Sequence, residues 1–81
     1  MKILVRNLPR ETTEPELTEL FKAYGGVQSC NLVMDKETGK SKGFGFVEMP
    51  RVNEANAAIS GLNQKEIAGL KIRVKKADLK N

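Results

Sequence analysis

The sequence contains no histidine, which removes the side chain that most often serves as a general base near neutral pH. Cysteine occurs once, at Cys30, so neither an intramolecular disulfide nor a cysteine-based metal site can form within the chain. That lone thiol suits a reducing interior, and it is expected to act as a small buried hydrophobe in a cytoplasmic protein. No apolar run approaches membrane-spanning length, and the N-terminus lacks the hydrophobic core of a signal peptide, so neither membrane association nor secretion is expected. Aromatic residues are scarce, with three phenylalanines and one tyrosine among 81 residues. The positions of so few rings are therefore informative.

What is present fits one small soluble domain over residues 1–81, near the size at which a single core just suffices. Lysine and arginine total 14 against 10 acidic residues, a net charge of +4. Acidic residues gather at Glu11, Glu14, Glu16 and Glu19. Basic ones gather at Lys36, Lys40 and Lys42 and again at Lys71, Arg73, Lys75, Lys76 and Lys80. A fold that joined the two basic segments would create a surface suited to a polyanion.

Hydrophobic periodicity divides the chain into six elements. Residues 2–8 alternate as a strand that Pro9 closes. Thr13 with Glu16 forms a capping box and Pro15 fits a first turn, so a helix follows, with Leu17, Leu20, Phe21 and Tyr24 on one face and Gly25-Gly26 as its stop. Residues 27–34 read as a second strand, 35–41 as a polar loop and 42–49 as a third strand ended by Pro50. A second helix starts at Asn53 or a neighbour and buries Ala55, Ala58, Ile59 and Leu62. Residues 64–69 form a turn or short hairpin, and 70–76 the last strand. The order βαββαβ predicts an α+β, ferredoxin-like sandwich in which two helices cover one face of a four-stranded antiparallel sheet.

The stretch KGFGFVEM, residues 42–49, then acquires meaning. Successive strand residues point to opposite faces, so Phe44 and Phe46 share a side with Lys42 and Glu48, away from Val47 and Met49. Assigning Ile3, Val5, Val47, Met49, Ile72 and Val74 to the helix side leaves Leu4, Arg6, Phe44, Phe46, Arg73 and Lys75 on a face with no covering element. Exposed rings beside cations can stack planar groups and neutralise negative charge, and single-stranded nucleic acid offers both. Asn7 reads as a turn former, and Gly43 and Gly45 as sites where a helix packs closely on the sheet.

KGFGFVEM resembles the RNP1 octapeptide of the RNA recognition motif family at seven of eight positions. ILVRNL, residues 3–8, is similar to that family's RNP2 hexapeptide. The likeness covers essentially the whole chain, including the loop DKETGKSKG and the run Ala55, Ala58, Ile59, Leu62-Asn63, and the short layout is similar to that of single-domain bacterial members. It implies that the first and third strands are neighbours at the sheet centre, that Phe44 and Phe46 contact bases or riboses, and that Lys42 pairs with a phosphate. Leu4 departs from the pattern, since a stacking ring usually stands there; stacking contributes about 1–3 kcal/mol per base. Met49 also departs, but on the inward side.

Asn31 and Val33 of the second strand are expected to extend the surface while Cys30 and Leu32 face inward. Lys75, Lys76, Ala77 and Asp78 correspond to where chains of this family lean over the nucleic acid. Arg6 and Arg73 complete the candidate RNA-binding set. The expected partner is single-stranded RNA, with single-stranded DNA bound more weakly, by a monomer that needs no cofactor or metal. The alternative is a protein-protein interaction module that uses the same fold. An enzyme is not expected: Gly39-Lys40-Ser41 resembles the end of a P-loop, but Met34 stands where its first glycine is required.

Overall fold

The computed structural model describes residues 1–77; Lys80 of the C-terminal basic cluster and Asp78 of the stretch expected to lean over nucleic acid lie outside the described residues. Strand β1 (Lys2–Arg6) buries Ile3 and Val5 and turns Lys2, Leu4 and Arg6 the other way. It ends where Asn7 enters the left-handed region at φ 60°, a conformation that asparagine tolerates. The Asn7 Nδ2 then donates to the Lys71 carbonyl at 2.9 Å, tying this turn to the far end of the chain.

Helix α1 (Glu14–Lys22) begins with the expected capping box. The Glu16 N–H donates to Thr13 Oγ1 at 3.3 Å, and the Thr13 N–H donates to Glu16 Oε1 at 3.0 Å. Two otherwise unpaired donors of the first turn are thereby satisfied. Gly25, at φ 152°, follows the helix, and the Gly26 N–H donates to Glu54 Oε1 at 3.0 Å. Helix α2 (Val52–Leu62) starts at Val52, the neighbour of Asn53, within the expected start. Its N-cap is Arg51, which is extended and makes no side-chain cap bond, so only the Arg51 carbonyl, accepting from the Ala55 N–H at 2.9 Å, opens the helix.

Strands β2 (Ser29–Met34) and β3 (Ser41–Glu48) join β1 and the last strand, β6 (Arg73–Lys76), in a sheet of order β2-β3-β1-β6, with every neighbouring pair antiparallel. The predicted ferredoxin-like βαββαβ architecture is the observed one. Both helices pack on the same face: Leu17, Phe21, Ala55, Ala58 and Leu62 share one core with Ile3, Val5, Val47, Met49, Ile72 and Val74. All six strand residues assigned inward from sequence are at most 2% exposed.

The C-terminal third departs from the expected single strand over residues 70–76. Strands β4 (Glu66–Ile67) and β5 (Leu70–Lys71) form their own hairpin, and β6 (Arg73–Lys76) alone joins the main sheet. Ala68 at φ 51° and Gly69 at φ 83° give the hairpin the two positive-φ residues of a type I′ turn. That tight reversal pairs Leu70 and Lys71 with their own neighbours before the chain reaches β1.

The glycines of β3 also do something other than admit a helix. A Cβ on Gly45 would lie 2.6 Å from the Asn31 carbonyl oxygen and 3.1 Å from Leu32 Cα, so this glycine lets β2 approach. Gly43, at φ 86°, marks an irregularity: Leu32 stands opposite Gly45 but Met34 opposite Ser41, so Val33 alone faces the three residues Lys42 to Phe44. The bulge is held by the Leu8 N–H donating to the Gly43 carbonyl at 2.8 Å and the Gly43 N–H donating to Ser41 Oγ at 3.0 Å.

Cys30 lies half-buried at the sheet edge rather than within the core. Desolvation by burial raises its thiol pKa, a hydrogen bond with the Thr18 side chain lowers it, and the charge of Glu14 raises it, with a net upward shift. The thiol is accordingly less reactive than a free one. Glu14, one of the clustered acidic residues, accepts at its Oε2 from the Leu32 N–H at 3.0 Å. This carboxylate covers part of the β2 edge, where an unpaired N–H would otherwise invite strand addition.

Candidate nucleic-acid interface

The antiparallel registers convert separate sequence positions into rows across the open face. Asn31 stands opposite Phe46, Phe46 opposite Leu4, and Leu4 opposite Lys75, so one row reads Asn31, Phe46, Leu4, Lys75 from edge to edge. Arg6 stands opposite Arg73 toward one end of this face. Strand alternation directs Phe44 and Val33 to the same side.

Phe44 and Phe46 are half-buried rather than fully exposed. Their ring centroids lie 6.3 Å apart at an interplanar angle of 84°, an edge-to-face pair. The ring quadrupoles favour this arrangement. Each ring thus restrains the other before any ligand arrives, and less side-chain entropy remains to be lost on stacking.

Lys2 was not among the expected site residues, but its Nζ lies 5.2 Å from the Phe46 ring centroid in a cation-π contact. Its parity with Leu4 and Arg6 was the available signal. Its distance in sequence from the aromatic octapeptide concealed the contact, which only the β1-β3 register supplies.

Arg6, Lys42, Asn31, Arg73 and Lys75 are exposed, and Leu4 and Val33 half-buried. Lys76 is separated from the group: it shares the parity of buried Val74, so alternation turns it toward the helix-bearing side. The Arg6 and Arg73 pair sets like charges directly across neighbouring strands, which is destabilising without a counter-charge. These two arginines and Asn7 line a recess of about 260 Å³.

Arg6 also lines a second groove, of about 340 Å³, with Asn7, Leu8, Arg10, Lys42, Gly43, Phe44 and Leu70. Arg10 is the second residue that the sequence did not single out. It lies in the β1-α1 loop, where no periodicity assigns a face. Among the described residues, no group of three or more histidine, cysteine, aspartate or glutamate side chains could hold a metal ion. No helix of the described residues is long and apolar enough to cross a membrane.

The family model for the RNA recognition motif matches residues 3–73. Glycine-rich RNA-binding protein 1 of Mycosarcoma maydis is 43% identical over 77 residues, covering 95% of this chain and 44% of that protein. RbpB of Nostoc sp. is 44% identical over 77 residues, covering 95% of this chain and 75% of that protein. The chain thus spans less than half of the first relative and three quarters of the second. Among solved structures, the RNA-binding protein PG1 superposes with a TM-score of 0.93 at 44% identity, covering 100% of this chain and 98% of that one. The Sxl-lethal protein/RNA complex gives 0.92 at 30% identity, covering 99% and 48%.

Proposed function

This chain belongs to the RNA recognition motif family, and from that premise we propose that it binds single-stranded RNA on the open face of its sheet. The observation that carries the reading is the row Asn31, Phe46, Leu4, Lys75 with Phe44 beside it: two rings, an apolar side chain, an amide and a cation on one face. The rings and Leu4 meet base faces, Asn31 reaches a base edge, and Lys42, Arg6, Arg73 and Lys75 neutralise phosphates. Val33 extends the apolar floor. Lys76 acts from the strand end rather than from the row.

KGFGFVEM serves as RNP1 and ILVRNL as RNP2, with Leu4 in place of the usual second-position ring. The chain acts as one binding domain, without catalysis, as a monomer in the cytoplasm, a reducing setting that suits the unpaired Cys30. About two to four nucleotides fit across such a sheet, so affinity is on the order of micromolar or weaker. Single-stranded DNA, which lacks the 2′-hydroxyl, binds more weakly.

Amide chemical-shift mapping with short single-stranded RNAs tests this directly. Perturbations should concentrate on Leu4, Asn31, Phe44, Phe46 and Lys75. Perturbations confined to α1 and α2 would instead support the protein-interaction alternative.

A further inference from the structure

Resting on the RNA-binding reading, we infer that the groove between the start of β3 and the β1-α1 loop is a phosphate seat. Arg10 is its central binding residue, and the phosphate belongs to the nucleotide stacked on Phe44. Arg6, Arg10 and Lys42 all line this groove, and among the described residues no carboxylate does. Three positive charges thus share the lining of one recess, and a bound anion offsets their mutual repulsion. Phe44 lines the same groove, so a base against its ring brings the attached phosphate to the cations.

Two contacts position Arg10 in advance. Its Nη1 donates to the Ser41 carbonyl at 3.2 Å, which fixes one end of the guanidinium. Its Nε lies 3.2 Å from the place a Cβ on residue 43 would occupy, so the guanidinium rests against backbone that only glycine leaves open. One of five donors is engaged by Ser41, leaving the remainder of a planar fork that matches phosphate geometry in a way an ammonium cannot. Asn7, through its bond to the Lys71 carbonyl, holds the β5 end of the hairpin close, and neighbouring Leu70 forms an apolar wall of the groove.

The test measures fluorescence anisotropy of labelled hexauridylate across a salt series, for wild type, Arg10→Gln, Arg10→Lys and the Phe44→Ala/Phe46→Ala pair. Arg10→Gln should bind about three- to tenfold more weakly at low salt and flatten the slope of log K against log salt by about 0.7, the share of one phosphate on a single strand. Arg10→Lys should restore the slope but only part of the affinity, because the charge returns without the fork. Hexauridylate with and without a 5′-phosphate separates the two sources of the group: a gain from the terminal phosphate that vanishes in Arg10→Gln assigns a monoester, and no gain assigns a backbone diester. If Arg10→Gln keeps the wild-type affinity and slope while the double ring variant loses binding, the phosphate seat is overturned and RNA binding stands. If the double ring variant binds as wild type does, the RNA face itself is wrong. Should Arg10→Gln fail to fold, Arg10→Lys decides, and its equality with wild type in both affinity and slope would overturn the forked seat.

Discussion

Phe21 and Phe46 are the same side chain on opposite sides of one sheet. Phe21, on α1, is 0% exposed and lies among Leu17, Ala55, Ala58 and the inward residues of the central strands. Phe46 is half-buried, touches Phe44 edge-on and carries the Lys2 ammonium over its ring. The first ring has every neighbour that a core supplies; the second has neighbours at its edge and one cation. Burial of apolar area stabilises the fold in proportion to the area removed from water. Phe21 therefore contributes chiefly to folding, while Phe46 keeps part of its hydrophobic area available for a ligand. A small domain has little stability in reserve, so leaving two of three phenylalanines half-covered points to a use outside the core.

The comparison is broken most sharply by exchanging each ring for alanine. Phe21→Ala should cost about 3–5 kcal/mol of stability, the range for large buried rings, and chemical denaturation should show the variant largely unfolded. Phe44→Ala and Phe46→Ala should each weaken RNA binding by about 1–3 kcal/mol in anisotropy titrations. Their stability loss should be smaller than that of Phe21→Ala, since each ring is already partly in water. A Phe46→Ala variant as unstable as Phe21→Ala, with unaltered affinity, would make the open face an ordinary part of the core.

Much of this contrast was legible in the sequence. Alternation in 2–8, 42–49 and 70–76 gave the inward set Ile3, Val5, Val47, Met49, Ile72 and Val74, and all six are buried. The capping box at Thr13 and Glu16 formed as read. Besides the Lys2 contact, three things were hidden, each for a physical reason. The split of residues 70–76 depends on Ala68 adopting positive φ, which alanine composition does not announce. The bulge at Gly43 depends on how β2 meets β3, a non-local pairing. The groove beside Phe44 depends on Arg10, whose place is set by the carbonyl of Ser41, 31 positions along the chain. Local periodicity carries no information about such partners.

Leu4 gives the next and smaller effect. It lies opposite both Phe46 and Lys75, in the centre of the row, and is half-buried. Leu4→Phe should place a third ring beside Phe46 and tighten RNA binding by up to about 1–2 kcal/mol, within the range for one stacked base. Unchanged or weaker binding in the same titration would mean that bases do not reach β1, and would restrict stacking to β3.

Lys2 supplies the smallest effect and the sharpest sign. Its ammonium lies over the Phe46 ring, so a base that stacks there must displace it, forfeiting about 0.5–1 kcal/mol of exposed cation-π attraction. Once displaced, the same charge is free to meet a phosphate, which favours binding but is screened by salt. The two contributions oppose each other and only one depends strongly on ionic strength. Lys2→Gln should therefore bind RNA slightly more weakly than wild type at about 0.05 M salt, where the lost phosphate attraction dominates. At about 0.5 M salt, where the Debye length has shortened to roughly 4 Å, the order should reverse, because the variant no longer has a cation to move off the ring. Anisotropy titrations of both proteins over that salt range should give lines that cross. Parallel lines would mean that Lys2 stays on the Phe46 ring when RNA binds, leaving stacking to the face of the ring that the ammonium does not cover.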